Sequence, residues 1–461
     1  MTFPLIFAII VFVLTYIMMF IFSKYRPWIA LGSALVFIIF GLISKEYEVK
    51  ALVFNIDMNV ILMILGTMIT VSLMIDSKMP SLMADLLIEK VPNVLWLTFI
   101  LSLFAGIVSA FIDNVATVLM IAPIALELAK KLNINPVGMI IAIAVSSNLQ
   151  GAATLVGDTT SILLAGYAKM NFSDFFIYQG RPSMFFATEL GALCSALLIL
   201  IIFRKQKDKI MPVERTHVED YVPSFLLLFT VITLIVFSFT SIEFNLLNGV
   251  ICVSYALIGL IYVFVRSLVK KKVPASDDAV DGSKNEETEK PKDNKCKDSF
   301  NAILKPIKDV DYQTILLLLG LFMVIGGIKA LGLIDEIAKL FKLAGGDNLF
   351  VIYTLIVWLS VLFSAFIDNI PYVATMLPVC TSLGLALGIA NPTVLYFGLL
   401  CGATLGGNLT PIGASANITG IGLLRKEGYT VTNKDFLKIG IPFTLAAIIP
   451  AYIFIWLMFG M

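Results

Sequence analysis

The sequence predicts an all-α polytopic membrane protein made of two inverted repeats, each with five crossings, a helical hairpin and a broken helix. Three observations predict it. The 461 residues are 59% hydrophobic and 14% charged, against about 25% charged in ordinary soluble domains. Their mean hydropathy is +0.95, and many apolar runs reach membrane-spanning length. Second, Ser109-Ala110-Phe111-Ile112-Asp113-Asn114 returns, 255 positions later, as Ser364-Ala365-Phe366-Ile367-Asp368-Asn369. A long-period duplication of this kind outranks any single motif. Third, one topology places 26 of the 33 Lys and Arg on the cytoplasmic side, as the positive-inside bias requires.

Residues 4–22 are apolar, lack a basic start and run into Lys24 and Arg26, so they read as a retained span rather than a cleavable signal. Spans at about 27–43 and 58–75 follow, and Pro80 to Lys90 reads as an interfacial helix. The arms 94–112 and 115–131 meet at Asp113-Asn114. That join is too short for a solvated loop, which leaves two full spans or a re-entrant hairpin. The span 137–165 is broken by a polar patch at 148–161, and 183–203 returns to the cytoplasm. These elements make a first repeat over 1–210.

The second repeat, 221–461, carries spans at about 222–241, 245–265 and 312–328. The arms 349–387 around Asp368-Asn369, the broken span 392–423 and a last span at 441–459 complete it. Between them, 270–308 is rich in Lys, Glu, Asp and Ser and is expected to be a disordered cytoplasmic linker. Five crossings is an odd number, so the second repeat is inverted and both termini are expected outside the cytoplasm, in a plasma membrane.

Inverted repeats with broken helices are the architecture of secondary transporters, with the site where the interruptions meet near the midplane. Non-helical backbone survives there only if buried in protein or lining a wet cavity. The candidate ion- or substrate-binding residues are therefore Asp113, Asn114, Asn148, Thr154, Asp158 and Thr159 in the first half. Asp368, Asn369, Asn408, Thr410, Ser415 and Asn417 are those of the second. Asp113 and Asp368 sit where helix caps belong. Asparagine would cap equally well without a charge, and an intramembrane carboxylate costs about 3 kcal/mol, so function is the better reading. Asp158 aligns with Ala414, which makes the site asymmetric.

The core segments 94–129, 137–166, 349–387 and 392–424 contain no Lys or Arg. Carboxylates without a fixed cation suit Na⁺, H⁺ or a small neutral solute, with Na⁺ expected at Asp113, Asn114, Asp368 and Asn369. No cofactor is expected beyond that coupling ion. The net charge of +1 carries no nucleic-acid footprint. Five cysteines without CxxC spacing read as small buried hydrophobes.

The paired Ser-Ala-Phe-Ile-Asp-Asn motifs, Leu149 to Asp158 and Gly406 to Asn417 resemble the family of arsenite permeases, NhaD-type sodium–proton antiporters and the pink-eyed-dilution P protein. That family sits in the ion transporter superfamily with sodium-coupled dicarboxylate and citrate carriers. The resemblance implies an elevator-type fold with two re-entrant hairpins and a scaffold that mediates a homodimer. In the dicarboxylate relatives a Ser-Asn-Thr tip contacts substrate and sodium. Here Asp113-Asn114-Val115 and Asp368-Asn369-Ile370 take its place. A small inorganic ion or metalloid, moved by Na⁺/H⁺ exchange or arsenite-type export, is thus expected ahead of a sodium-coupled dicarboxylate or citrate.

Two other classes fit less well. An intramembrane aspartyl protease needs Tyr-Asp and Gly-x-Gly-Asp. Leu155-Val156-Gly157-Asp158 lacks the first glycine, and Ile112 precedes Asp113. A channel would need no inverted repeat. The chain has no nucleotide-binding motif to drive a primary pump.

Overall fold

The computed structural model describes residues 2–210, 215–218, 220–240, 244–269 and 293–461. The described residues form twenty α-helices. The first half comprises α1 (Phe3–Ile21), α2 (Arg26–Ser44), the short α3 (Val49–Phe54), α4 (Met58–Asp76) and α5 (Met79–Ile88). The hairpin arms α6 (Val94–Ser109) and α7 (Asn114–Lys131) follow, then α8 (Val137–Gly151), α9 (Thr159–Ala168) and α10 (Met184–Ile202). The second half opens with α11 (Val222–Ser238), α12 (Leu247–Val269), α13 (Asp293–Lys308), α14 (Tyr312–Ala330) and α15 (Leu333–Gly345). It closes with the arms α16 (Leu349–Ser364) and α17 (Asn369–Ala386), then α18 (Thr393–Gly406), α19 (Ser415–Lys426) and α20 (Asn433–Phe459). Among the described helices, eight are long and apolar enough to cross a membrane by length and composition.

The duplication is visible element by element. Helices α4 and α14 each have 19 residues and start 254 positions apart. The arms α6 and α16 have 16 residues, and α7 and α17 have 18, each pair 255 apart. Their starts use the same chemistry. Asp57 and Asp311 cap α4 and α14, Asn93 and Asn348 cap α6 and α16, and Asp113 and Asp368 cap α7 and α17. Each oxygen satisfies backbone N–H groups that the first helical turn leaves without partners.

Packing is exchanged between the halves. Helix α4 lies along α12, and its counterpart α14 lies along α2. A Cβ on Gly66 would fall 2.4 Å from the Cys252 carbonyl carbon and 2.5 Å from the Val253 nitrogen. On Gly320 it would fall 2.7 Å from the same two atoms of Ala30 and Leu31. Small residues let membrane helices meet backbone to backbone, where dispersion rather than hydrophobicity holds them. Within each half α6 lies on α8 and α16 on α18, and between the halves α19 lies against α7 and α9 against α17.

Helices α8 and α18 form the centre and are buried along almost their whole length. Helices α1, α2, α11 and α12 carry the large exposed apolar residues, among them Ile10, Leu14, Leu35, Phe225 and Leu257. A lipid-facing surface needs such residues.

The chain departs from the expected linker over 270–308. Residues 270–292 lie outside the described residues, but Asp293–Lys308 is helical rather than disordered. Its charge hides an apolar stripe. Ile303 and Ile307 pack with Val310 on Ile69, Ala256 and Leu260, and Lys305 pairs with Asp76 at 2.5 Å. Helix α15 was also not expected from the sequence. It bends 116° into α16 and corresponds to α5 of the first half.

Candidate functional site

The two hairpin tips and the two broken helices meet inside the molecule, and the backbone holds them there by a repeated device. Thr154 donates its hydroxyl to the carbonyl of Ala110, and Thr410 donates to that of Ala365. Each threonine thus ties the break in a broken helix to the turn of the hairpin beside it. Gly157 and Gly413 fill the corresponding contacts. A Cβ on Gly157 would lie 2.6 Å from the Gly151 oxygen and 2.7 Å from those of Ser109 and Ala110. On Gly413 it would lie 2.6 Å from the Gly407 oxygen and 2.8 Å from that of Ser364. Only glycine admits this approach.

A ladder of buried asparagines joins the halves. Asn114 donates its amide to Asn148 at 3.0 Å, and Asn148 donates to Asn408 at 3.0 Å and to the Thr404 carbonyl at 2.8 Å. Asn408 donates in turn to the Val145 carbonyl at 2.9 Å. The Asn417 amide donates to the carbonyls of Gly407 and Thr410, while its own oxygen has no partner among the described residues. Unpaired amides in a low-dielectric interior are expensive, so the ladder fixes the first tip against the two broken helices.

In front of these elements lies a cavity of about 350 Å³. Six of the twelve residues singled out from the sequence line it: Asp113, Asn114, Asp158, Thr159, Asn369 and Ser415. Asp113 accepts from the amides of Val115 and Ala116 at 3.0 and 3.2 Å. Asp158 is 3% exposed and accepts from the Thr160 hydroxyl at 2.6 Å. Asn369 is 4% exposed, and its side chain makes no hydrogen bond to a described residue. A buried amide facing a cavity without a protein partner keeps its hydrogen-bonding capacity unused. Asn148, Thr154, Asn408, Thr410 and Asn417 do not line the cavity. They build the scaffold behind it.

Asp368 departs from the expectation of a site without a fixed cation. It is absent from the cavity wall and forms an ion pair with Arg26 at 2.7 Å, its side chain 8% exposed. The four core segments are indeed cationless. The guanidinium comes from α2, where sequence reading assigned it only a topological role. Sequence reading also missed Asp309, Asp311 and Thr314, which line the cavity with Ser72 of α4. Ser72 donates to Asp309 at 2.8 Å. The signal was present in the repeat: Asp311 is the counterpart of Asp57, and both cap their helices. It fell in the gap between the expected linker, 270–308, and the expected span at 312–328. Among the described residues no three His, Cys, Asp or Glu side chains converge as a metal-holding group.

A polytopic helical bundle with paired hairpins around a cavity where carboxylates and amides sit among apolar side chains is the architecture expected of a membrane transporter. The chain belongs to the CitMHS family, described as citrate transporter, which it matches over residues 14–402. An uncharacterized transporter of Mycobacterium tuberculosis is 28% identical over 455 residues, 98% of each chain. The mouse P protein is 27% identical over 436 residues, which cover 85% of this chain and 52% of that longer relative. Two solved structures share the fold. The YdaH transporter of Alcanivorax borkumensis has a TM-score of 0.58 at 13% identity, covering 96% of this chain and 98% of that one. MtrF of Neisseria gonorrhoeae, from a class of antimetabolite efflux pumps, has a TM-score of 0.53 at 14% identity, covering 91% and 84%.

Proposed function

We propose that this transporter is secondary active, coupled to H⁺ or Na⁺, and moves a small inorganic ion or metalloid by Na⁺/H⁺ antiport or arsenite-type export. One observation carries the reading: Asp113, Asp158, Asp309 and Asp311 line the cavity, and no Lys or Arg does among the described residues. Such a wall attracts cations and repels free polyanions. A carboxylate held in it can release a proton as a cation enters, and take one as the cation leaves. Asn114, Thr159, Asn369 and Ser415 add neutral oxygens and amides that replace part of a hydration shell. Any Na⁺ bound here is the coupling ion or the cargo, not a resident cofactor.

The exchanged packing of α4 on α12 and α14 on α2 supports an inverted pair of repeats. On that reading the halves trade conformations and the cavity alternates between sides. With the basic segments 204–215 and 266–308 in the cytoplasm and both termini outside, the side of the cavity lined by Asp309 and Asp311 faces inward. The plasma membrane is the proposed location, and a homodimer through the α1, α2, α11 and α12 faces is the proposed assembly.

A second reading, a sodium-coupled dicarboxylate or citrate carrier, is favoured by the description of the family. The acidic wall then requires the carboxylates to arrive with compensating cations. Proteoliposomes with imposed Na⁺ and H⁺ gradients, tested with arsenite, silicate, citrate and Na⁺ itself, separate the two. Na⁺/H⁺ exchange or metalloid flux supports the first reading. Na⁺-driven citrate or succinate accumulation without either flux overturns it in favour of the second.

A further inference from the structure

The two copies of the duplicated motif are placed in different chemical surroundings. Asp113 is on the cavity wall, and its side chain accepts only from the backbone amides of Val115 and Ala116 among the described residues. Asp368 is behind the wall and is held by Arg26 at 2.7 Å, by the Ser415 hydroxyl at 3.3 Å and by the Ile370 amide at 3.2 Å. A second tether reaches the same arm from α1. The Tyr16 hydroxyl donates to the Pro371 carbonyl at 2.7 Å and lies in hydrogen-bond contact with Thr375. Among the described residues the first hairpin tip has no equivalent clamp. Ala30 and Leu31 meet Gly320 as Cys252 and Val253 meet Gly66. Arg26, four residues before Ala30, therefore corresponds to Asn248, four residues before Cys252. The position that carries a guanidinium in one half carries a neutral amide in the other.

Charge follows the same division. Asp158 lies within electrostatic reach of both Asp113 and Asp368, but it lines the cavity with Asp113, and its counterpart in the second half is the neutral Ala414. A guanidinium and a carboxylate with little solvent between them neutralise each other, and losing either leaves the other as an uncompensated charge. Arg is suited to the task because it stays protonated at any working pH.

We propose that the duplicated motif has divided its work. Arg26 is a positioning residue that neutralises Asp368 and anchors the second hairpin tip to α1 and α2, leaving Asp113 and Asp158 as the carboxylates that meet the coupling ion. The division of labour rests on the cation-coupled reading above; the anchor itself does not.

The test is a charge-removal cycle in the full-length purified protein, with R26Q, D368N and the double variant R26Q/D368N. Each is scored by ion-coupled flux in proteoliposomes, by its pH profile and by melting temperature in detergent. Each single variant is expected to lose roughly ten-fold or more in flux and to melt lower, because it strands one charge. The double variant is expected to recover to within about three-fold of wild type with an unchanged pH profile, since a neutral Asn–Gln pair can still bridge the tip. R26K, which keeps the charge, is expected to retain the pH profile even if flux falls. A double variant that is folded but inactive, or whose pH profile moves, overturns the proposal, because the Asp368 carboxylate would then be needed for itself. If the single variants do not fold, the comparison passes to R26K and R26Q/D368N, with the same two outcomes. If the wild-type protein shows no ion-coupled flux at all, the functional reading has failed, and the anchor is judged by melting temperature alone. A double variant no more stable than the singles then overturns it.

Discussion

Asp113 and Asp158 share one cavity wall yet are built differently. Asp113 is both cap and wall residue, and Asp158 is held by a neighbouring hydroxyl. Asparagine at either position keeps the shape and, at 113, the capping oxygen, but loses the exchangeable charge. D113N and D158N are expected to insert and fold while losing about ten-fold or more of ion-coupled flux, equivalent to about 1.4 kcal/mol. Flux that retains both its size and its pH dependence in these variants would reduce the two residues to structure. Asp309 and Asp311 line the same cavity and act on a cation there through space. A unit charge about 10 Å from a cation in water contributes about 0.4 kcal/mol, a roughly two-fold effect. D309N and D311N should therefore each raise the half-saturation for the cation about two-fold at low salt. The difference should fade above physiological ionic strength, where the Debye length drops below about 8 Å. Concentration dependence of flux at two salt levels checks this, and a salt-independent change points instead to direct contact.

At the scale of elements, the break in each broken helix is fixed by packing, not by chain flexibility. The break after α8 and the break after α18 each press a glycine onto carbonyl oxygens of the adjacent hairpin turn, at spacings a Cβ cannot share. The contact is made with backbone on both sides, so no side chain can yield. G157A and G413A should each melt markedly lower and lose transport, with a cost at the high end of the roughly 1–3 kcal/mol typical of overpacking. A melting curve in detergent measures it, and wild-type stability in either variant would mean the tips can separate from the breaks. Helix α13 shows the opposite case, where composition misled. Its Lys, Asp and Asn residues resemble a solvated tether, yet four apolar side chains around Ile303 and Ile307 dock it against α4 and α12.

For the whole molecule, the proposed inward orientation makes the cavity accessible from one side only. A cysteine placed at Thr314 on the cavity wall, in a background lacking other reactive cysteines, should label in inside-out vesicles and resist an impermeant reagent in intact cells. Labelling from outside intact cells would reverse the orientation, and with it the side to which the cavity is assigned.

The sequence by itself determined the membrane-spanning helical class, the two copies of the plan and most of the residues at the centre. Apolar length, a repeated hexapeptide and capping residues are local properties that a single chain displays in order. Half of the nominated polar residues line the cavity, and five others hold its walls. Which residues did which was decided by tertiary structure alone. Asn148 and Asn408 are as polar and as central as Asn369, but only Asn369 faces space rather than a partner. Arg26 reads in the sequence as a topological charge, and it becomes the counter-ion of Asp368 only because α2 packs across a chain separation of 342 residues. Hydrogen-bond satisfaction and charge pairing are properties of neighbours in space, and no periodicity along the chain encodes them.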